Sequence, residues 1–388
     1  MKITQIYQIV NDSTKNILGE NATPLAEDLS NIVDVGNEII NTDNLDNYVK
    51  ALVNHIGKVK FDNRKYSGGV PSVLMDSWEF GSILEKITAE LPEATENESW
   101  QLEDGKEYSQ DIFYQPKVSA KFFNSQVTFE IPLSFTERQV KESFSNATQL
   151  NGFISMLVNA VDKSMTVKID SLVMKTINNM TAETIFKELA TEGGQVSKTK
   201  TTTRAVNLLK LYKDKTGEEL TKEAAIYNKD FIKFVSYQMN LYADRMKKIS
   251  TLFNMGKKAK FTPTDKLHVI LLSEFANATD TYLKADTKHN DLVSLPNFDT
   301  IPYWQGTGDN YDFNNTSAIN VKTNEGNTVK TDGIVGVMFD TEALGVANMN
   351  RRVTTNYNAK AEFYTNFYKM DAGYFNDFNE NFIVFLIA

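Results

Sequence analysis

The chain has 388 residues, 41% hydrophobic and 11% aromatic, enough to bury the core of two or three domains or of one domain with extensions. Its formal net charge of −9, with 50 acids against 41 bases, is the opposite of the basic balance of a dedicated nucleic-acid binder. Cysteine is absent, which excludes disulfides, thiolate metal sites and cysteine nucleophiles; His55, His268 and His289 are too scattered to form a ligand-spaced pair.

In chain order, Ile3, Ile6, Ile9 and Val10 fall at helical spacing, so the first residues read as an amphipathic arm. They lack the continuous apolar core of a signal peptide, and nowhere does a run of about 18 apolar residues predict a membrane-spanning helix. Val49, Leu52, Val53 and Ile56 share one helical face ahead of Gly57. A short element over "MDSWEFGSILEKITAELP" ends before Pro92, and residues 93–111 form a polar, acidic stretch. Alternation then begins. Val118, Ala120 and Phe122 point one way; after "FNSQ" the parity changes, and Val127, Phe129 and Ile131 share a face. Two strands joined by a short polar turn predict a hairpin, which is marginal on its own in water. With little nearby sequence to cover it, these six residues are expected to contact another subunit.

Pro132 is expected to end the second strand, with Thr136 as an N-cap and Gln139 completing a capping box. Apolar positions at helical spacing run from Val140 through Leu157, Val161, Ile169, Val173 and Ile177 to Met180, predicting a very long helix with Gly152 and "TVKID" as places for a kink. A helix-rich section over 182–255 breaks at "TEGG" and "KTGEE". "KLHVILLS" and "DGIVGVMFD" read as strands, and the aromatic C-terminus places Phe363 and Phe367 on one side and Tyr364 and Tyr368 on the other. The final apolar run, 382–388, predicts a strand buried on both faces.

Catalytic motifs are sparse. "GTGDNYDFN" lacks the third glycine and the preceding strand of a dinucleotide site, and Asp309, Asp312 and Asn314 do not follow the order of a calcium loop. Glu93, Glu96 and Glu98 read as an acidic loop, and Trp304 as a packing anchor. Basic residues cluster at 197–215 and 245–261, either as solvated faces or as a surface that tolerates nearby DNA.

The order of elements (arm, extended hairpin, long helix, mixed domain, aromatic strands at the C-terminus) resembles the major capsid proteins of tailed bacteriophages with the Hong Kong 97-type fold. The stretches "LVNHIGKVKFDNRKY", "VTFEIPLSFTERQVKESF" and "FDTIPYWQGTG", with the run from "VGVMFDTEALG" to the C-terminus, look like small coat proteins from phages of low-GC, Gram-positive-type hosts. The resemblance implies an α+β fold: an N-terminal arm over 1–60, the start of a peripheral domain over 61–92, an extension loop over 93–133 that reaches over a neighbour, and a spine helix within 134–190. It further implies an axial domain over 191–333 and C-terminal strands over 334–388 completing the sheets. The implied role is self-assembly into an icosahedral shell of hexamers and pentamers around double-stranded DNA, with a portal and with or without a scaffolding protein. The subunit would be assembled in the host cytoplasm and carried in the virion, with no membrane, cofactor, metal or catalytic residue. Some relatives crosslink Lys to Asn; no such trio is identified here. An encapsulin-like compartment and a cytoplasmic enzyme with an unrecognised site are the competing readings.

Overall fold

The structure, a computed structural model, describes residues 73–75, 84–108, 111–136, 147–191, 196–284, 298–305 and 317–388, together with Asn11. The rest of the expected N-terminal arm, Gln139 of the expected capping box and the "GTGDNYDFN" loop lie outside the described residues.

Thirteen strands among the described residues build two main sheets and two ribbons. The strands are β1 (Leu74–Met75), β2 (Leu84–Ala89), β3 (Val118–Phe123), β4 (Gln126–Thr136), β5 (Ala205–Asn207), β6 (Leu267–Leu272) and β7 (Asp299–Ile301). They continue with β8 (Ala318–Lys322), β9 (Thr328–Asp332), β10 (Ile334–Asp340), β11 (Leu344–Asn358), β12 (Phe363–Asn376) and β13 (Phe382–Leu386). The helices are α1 (Ala147–Leu189), α2 (Leu208–Thr216), α3 (Lys222–Ala225), α4 (Lys229–Met246) and α5 (Ser273–Lys284).

The first sheet has the order β1-β11-β12-β4, with β11 and β12 forming a long antiparallel hairpin. From Phe363 to Ala372 along β12 the buried residues are Tyr364, Asn366, Tyr368, Met370 and Ala372, alternating with half-buried residues such as Phe363 and Phe367. That alternation of two is what a strand imposes on a sheet with one face on the core. Burial pushes the Tyr368 hydroxyl up to about 12. Helix α1 lies against this sheet, touching β4, β11 and β12. It runs unbroken for 43 residues, about 65 Å. Gly152 and the β-branched "TVKID" do not interrupt it. Hydroxyls along it bond back to the preceding turn, as Ser171 Oγ does to Val167 O at 2.9 Å and Thr176 Oγ1 to Leu172 O at 2.8 Å.

The second sheet has the order β5-β13-β10-β6-β7, antiparallel at its centre and parallel at both edges. Every residue of β10 and β13 is buried, as their continuous apolar sequence predicts. Aromatic contacts knit this centre: Phe339 stacks on Phe382 at 5.6 Å, and Tyr242 of α4 meets Phe385 edge-on at 5.6 Å. Asparagines start the flanking helices. Asn228 Oδ1 accepts from the amides of Asp230 and Phe231, and Gly217, at φ +78°, closes α2. Segment 334–388 supplies strands to both main sheets. Trp304 is wholly buried, the packing anchor its sequence context predicts.

Two sequence expectations are corrected. Pro132 does not end its strand: β4 continues to Thr136, which pairs opposite Phe363 and is a strand residue. A proline is accommodated because β4 is the edge of its sheet, where a missing N–H breaks no ladder on the open side. Nor do β3 and β4 pair with each other. They are joined by Asn124 and Ser125 yet belong to different sheets: β3 pairs with β2 and β4 with β12. Val127, Phe129 and Ile131 are therefore half-buried against the chain's own core, and the premise that they lack an intramolecular partner falls. No described helix is long and apolar enough to cross a membrane.

Candidate intersubunit contact surface

The β2–β3 ribbon stands apart from both main sheets. Its register sets Leu84 opposite Phe123, Lys86 opposite Lys121 and Ile87 opposite Ala120. Residues directly opposite share a face, so one side carries Leu84, Lys86 and Thr88 with Phe123, Lys121 and Ser119. The other carries Glu85, Ile87 and Ala89 with Phe122, Ala120 and Val118. Ile87, Val118, Ala120 and Phe122 are exposed, so the apolar face read from "KVSAKFF" exists and no described residue of its own chain covers it.

Beyond Ala89 and before Val118 the chain leaves regular structure, and its large side chains point into solvent. Trp100 is 93% exposed, Phe113 86% and Tyr114 80%. Leu91, Leu102 and Ile112 are also exposed. The same excursion bears seven carboxylates and one lysine over 93–111.

The inner face of the ribbon is fastened by charge. Lys86 and Lys121 would repel each other as a cross-strand pair. Both instead meet carboxylates from the turn after β12. Lys86 Nζ lies 2.5 Å from Glu380 Oε1 and 3.2 Å from Asp377 Oδ2, and Lys121 Nζ lies 2.8 Å from Asp377 Oδ1. Lys260 joins Glu380 at 2.7 Å, and Lys266 joins Glu342 at 2.7 Å. Burial alone would lower the Lys86 ammonium, but its bond to Glu380 and the charges of Glu380, Asp377 and Glu342 hold it above its ordinary value. Burial alone would raise Asp377, yet the Lys121 bond, the Asn379 amide and the Lys86 charge hold it low. Phe123 adds an apolar contact, its ring 5.1 Å from that of Phe375.

Loop 254–260 adds to this anchor beside the turn after β12 and the end of β2. A Cβ on Gly256 would lie 1.9 Å from Asn379 Oδ1, and the Gly256 amide donates to Phe378 O at 3.0 Å, so glycine permits this close approach. Asn254 braces the loop, accepting from the Lys258 amide and donating to its carbonyl, both at 2.8 Å. Lys258 reaches Glu90 at 2.8 Å.

Many lysines of the two basic clusters are engaged within the chain: Lys210 with Asp214, Lys213 with Glu219, Lys247 with Asp244, and Lys258 and Lys260 as above. Glu93, Glu96 and Glu98 are exposed. Among the described residues no group of three His, Asp or Glu side chains stands close enough to hold a metal ion. Sequence reading missed the ionic anchor, because its partners lie more than 250 residues apart.

Structural comparison finds phage capsids at low identity. The capsid of Staphylococcus phage Andhra is 10% identical with a TM-score of 0.48, over 84% of this chain and 87% of that one. The capsid of Cyanophage P-SCSP1u is 10% identical with a TM-score of 0.48, over 85% and 91%. The mature capsid of bacteriophage PhiM1 is 7% identical with a TM-score of 0.46, over 84% and 89%. No curated protein matches the chain in sequence. The sequence model of the Phi29-like phage major capsid proteins matches residues 10–386, so the chain belongs to that family and is a structural subunit of a phage shell.

Proposed function

We propose that the subunit has the Hong Kong 97-type architecture and closes its shell by laying the β2–β3 ribbon, with residues 90–117, over an adjacent copy. The exposed apolar outer face and tip of that ribbon carry the reading. Burying Trp100, Phe113 and Tyr114 alone would remove about 500 Å² from water. At about 25 cal/mol per Å² that is roughly 12 kcal/mol before the costs of association and ordering. A shell built of many such contacts holds together without any one of them being irreversible.

In this reading the extension loop spans residues 84–123, and β4 belongs to the subunit body. Helix α1 is the spine, with the β11–β12 sheet in the peripheral domain and the β10–β13 sheet in the axial domain. Pentamers and hexamers form the icosahedral shell of a tailed phage, a portal occupies one vertex, and double-stranded DNA lies against the inner face. Assembly takes place in the host cytoplasm, and abundant Asn, Lys and Ile fit a low-GC host. Lysines of 197–215 and 245–261 that face inward would meet phosphates, and raising salt would weaken those contacts through counterion release.

Cryo-electron microscopy of particles purified from lysates tests this. Closed icosahedral shells filled with double-stranded DNA, each ribbon resting on a neighbour, are expected. Shells filled with cargo protein would replace the phage reading with a nanocompartment, and ribbons folded back on their own subunit would overturn the contact.

A further inference from the structure

A cleft of about 330 Å³ opens between the inner face of the β2–β3 ribbon, loop 254–260 and the turn after β12. Two of its lining carboxylates, Asp377 and Glu380, are buried, and three lysines, Lys86, Lys121 and Lys260, answer them, so one positive charge is left over. Lys258 is matched by Glu90, but Lys257 has no ion-pair partner among the described residues. Five ammonium groups against three carboxylates thus leave two positive charges in one cavity of a chain whose net charge is −9. Backbone geometry keeps the unmatched cation there. Lys257 has a φ of +52°, in the left-handed region that a lysine rarely adopts, and the buried Asn254 side chain holds the turn by bonding both the amide and the carbonyl of Lys258. Hydroxyls share the cavity. Thr88 Oγ1 and Ser119 Oγ lie 3.0 Å apart, and such a pair spends one proton on its mutual bond and keeps the other to donate.

Surplus ammonium groups beside hydroxyl donors suit an oxyanion, whose oxygens only accept. The volume lies at the lower end of small-ligand pockets, about 300–1,000 Å³, and suits a short chain of phosphates better than one alone. We propose that the cleft is a binding site for linked phosphate groups, supplied either by a free oligophosphate or by a nucleic-acid backbone. Lys257 and Lys258 meet the oxyanions from the loop, and Thr88 and Ser119 donate from the ribbon. The buried carboxylates spend their charge on Lys86, Lys121 and Lys260, so they fix those ammonium groups in place without cancelling the surplus. Because the donors come from both the ribbon and loop 254–260, the bound anion ties one to the other and reinforces the ionic anchor. The site is complete within one chain and needs no neighbouring subunit.

Isothermal titration of sodium pyrophosphate into the full-length chain, at fixed ionic strength with chloride as the balancing anion, tests the site. One-to-one binding with a Kd of about 1 mM or tighter is expected, and weaker binding or none overturns the proposal. Native-state hydrogen exchange locates the ligand. Saturating pyrophosphate should slow exchange of the bonded amides of β2 and β3 and of Gly256 and Lys258, and slowing confined to other regions would overturn the assignment. Lys257→Asn removes the cation with a residue that tolerates the left-handed region, and should weaken binding about tenfold. Lys213→Gln, on α2 and outside the cleft lining, should leave it unchanged. Unchanged binding in Lys257→Asn, or equal weakening by both variants, would show diffuse attraction and overturn the site. The exchange pattern of the parent chain decides the matter should a variant misfold. Competition by a short DNA duplex at equal phosphate concentration separates the two sources. Displacement of pyrophosphate assigns the site to nucleic-acid phosphates, its absence assigns it to a free oligophosphate, and either result supports the cleft as a phosphate site.

Discussion

Replacing Lys86 with Met tests how the ribbon is held. Lys86 is the cation shared by Glu380, Asp377 and Glu342, at 2.5, 3.2 and 3.3 Å, and its side chain is only 16% exposed. Asp377 and Glu380 are almost fully buried, so removing the shared ammonium leaves each with one remaining lysine, Lys121 or Lys260. Breaking a buried pair outright costs about 3–5 kcal/mol, and the surviving partners reduce that to about 2 kcal/mol. The loss should be local, because the carboxylates that hold Lys86 lie in turns outside β10 and β13. Native-state hydrogen exchange reads it directly: 2 kcal/mol corresponds to a fall of about 30-fold in the protection of the bonded amides of β2 and β3. Amides of β10 and β13 should keep their protection. Unchanged ribbon protection would show that Phe123 and the backbone ladder suffice, and an equal fall in both regions would show that the ribbon is part of one cooperative core; either refutes the anchor.

Acid should release the same ribbon. Asp377 and Glu342 titrate below their ordinary values in the folded chain, so their contribution is present above the unfolded values near 3.8 and 4.5 and vanishes as pH falls through the folded ones. Lys86, raised in the fold, keeps its contribution below its ordinary 10.5 and loses it above the folded value, so ribbon exchange should quicken at both extremes and stay slow between them. Ile177→Ala, at a fully buried position on α1, should cost about 2–5 kcal/mol and lower the melting temperature, while ribbon exchange stays as in the parent. Gly256→Ala should displace loop 254–260 from Asn379 and cost about 1–3 kcal/mol, seen as a lowered melting temperature. Replacing residues 93–114 with a short Gly/Ser turn should leave far-ultraviolet circular dichroism near that of the parent, while sedimentation shows small oligomers in place of shells.

Much of the fold is written in local patterns. The continuous apolar runs "HVILL", "IVGVMFD" and "FIVFL" announce buried strands, and helical spacing through Ile177 announces α1. Val140 and Phe144 of the expected helix lie outside the described residues, and the described part of α1 begins at Ala147. The false hairpin arose from adjacency. Strands two residues apart in sequence were expected to pair, and because a two-residue turn would set Phe122 opposite Val127, the change of parity fits a hairpin as well as it fits a change of sheet. At this point the Ser125 carbonyl accepts from the Tyr374 amide at 3.1 Å, where the chain joins the first sheet. The partner of β4 lies some 230 residues away in β12, and strand pairing at such a separation leaves no local trace. The outer face of β3 was legible because it is periodic. The inner face was not, since a lysine such as Lys86 reads as solvated until its carboxylates are brought to it.

The account's central claim is that the exposed ribbon seats on an adjacent copy. A cryo-electron microscopy map of the assembled shell, at a resolution that shows side chains, tests it most directly. The account predicts density for the neighbouring subunit against Ile87, Val118 and Phe122, and Trp100 buried. A map in which those four side chains remain in solvent, or pack on their own subunit, would contradict it.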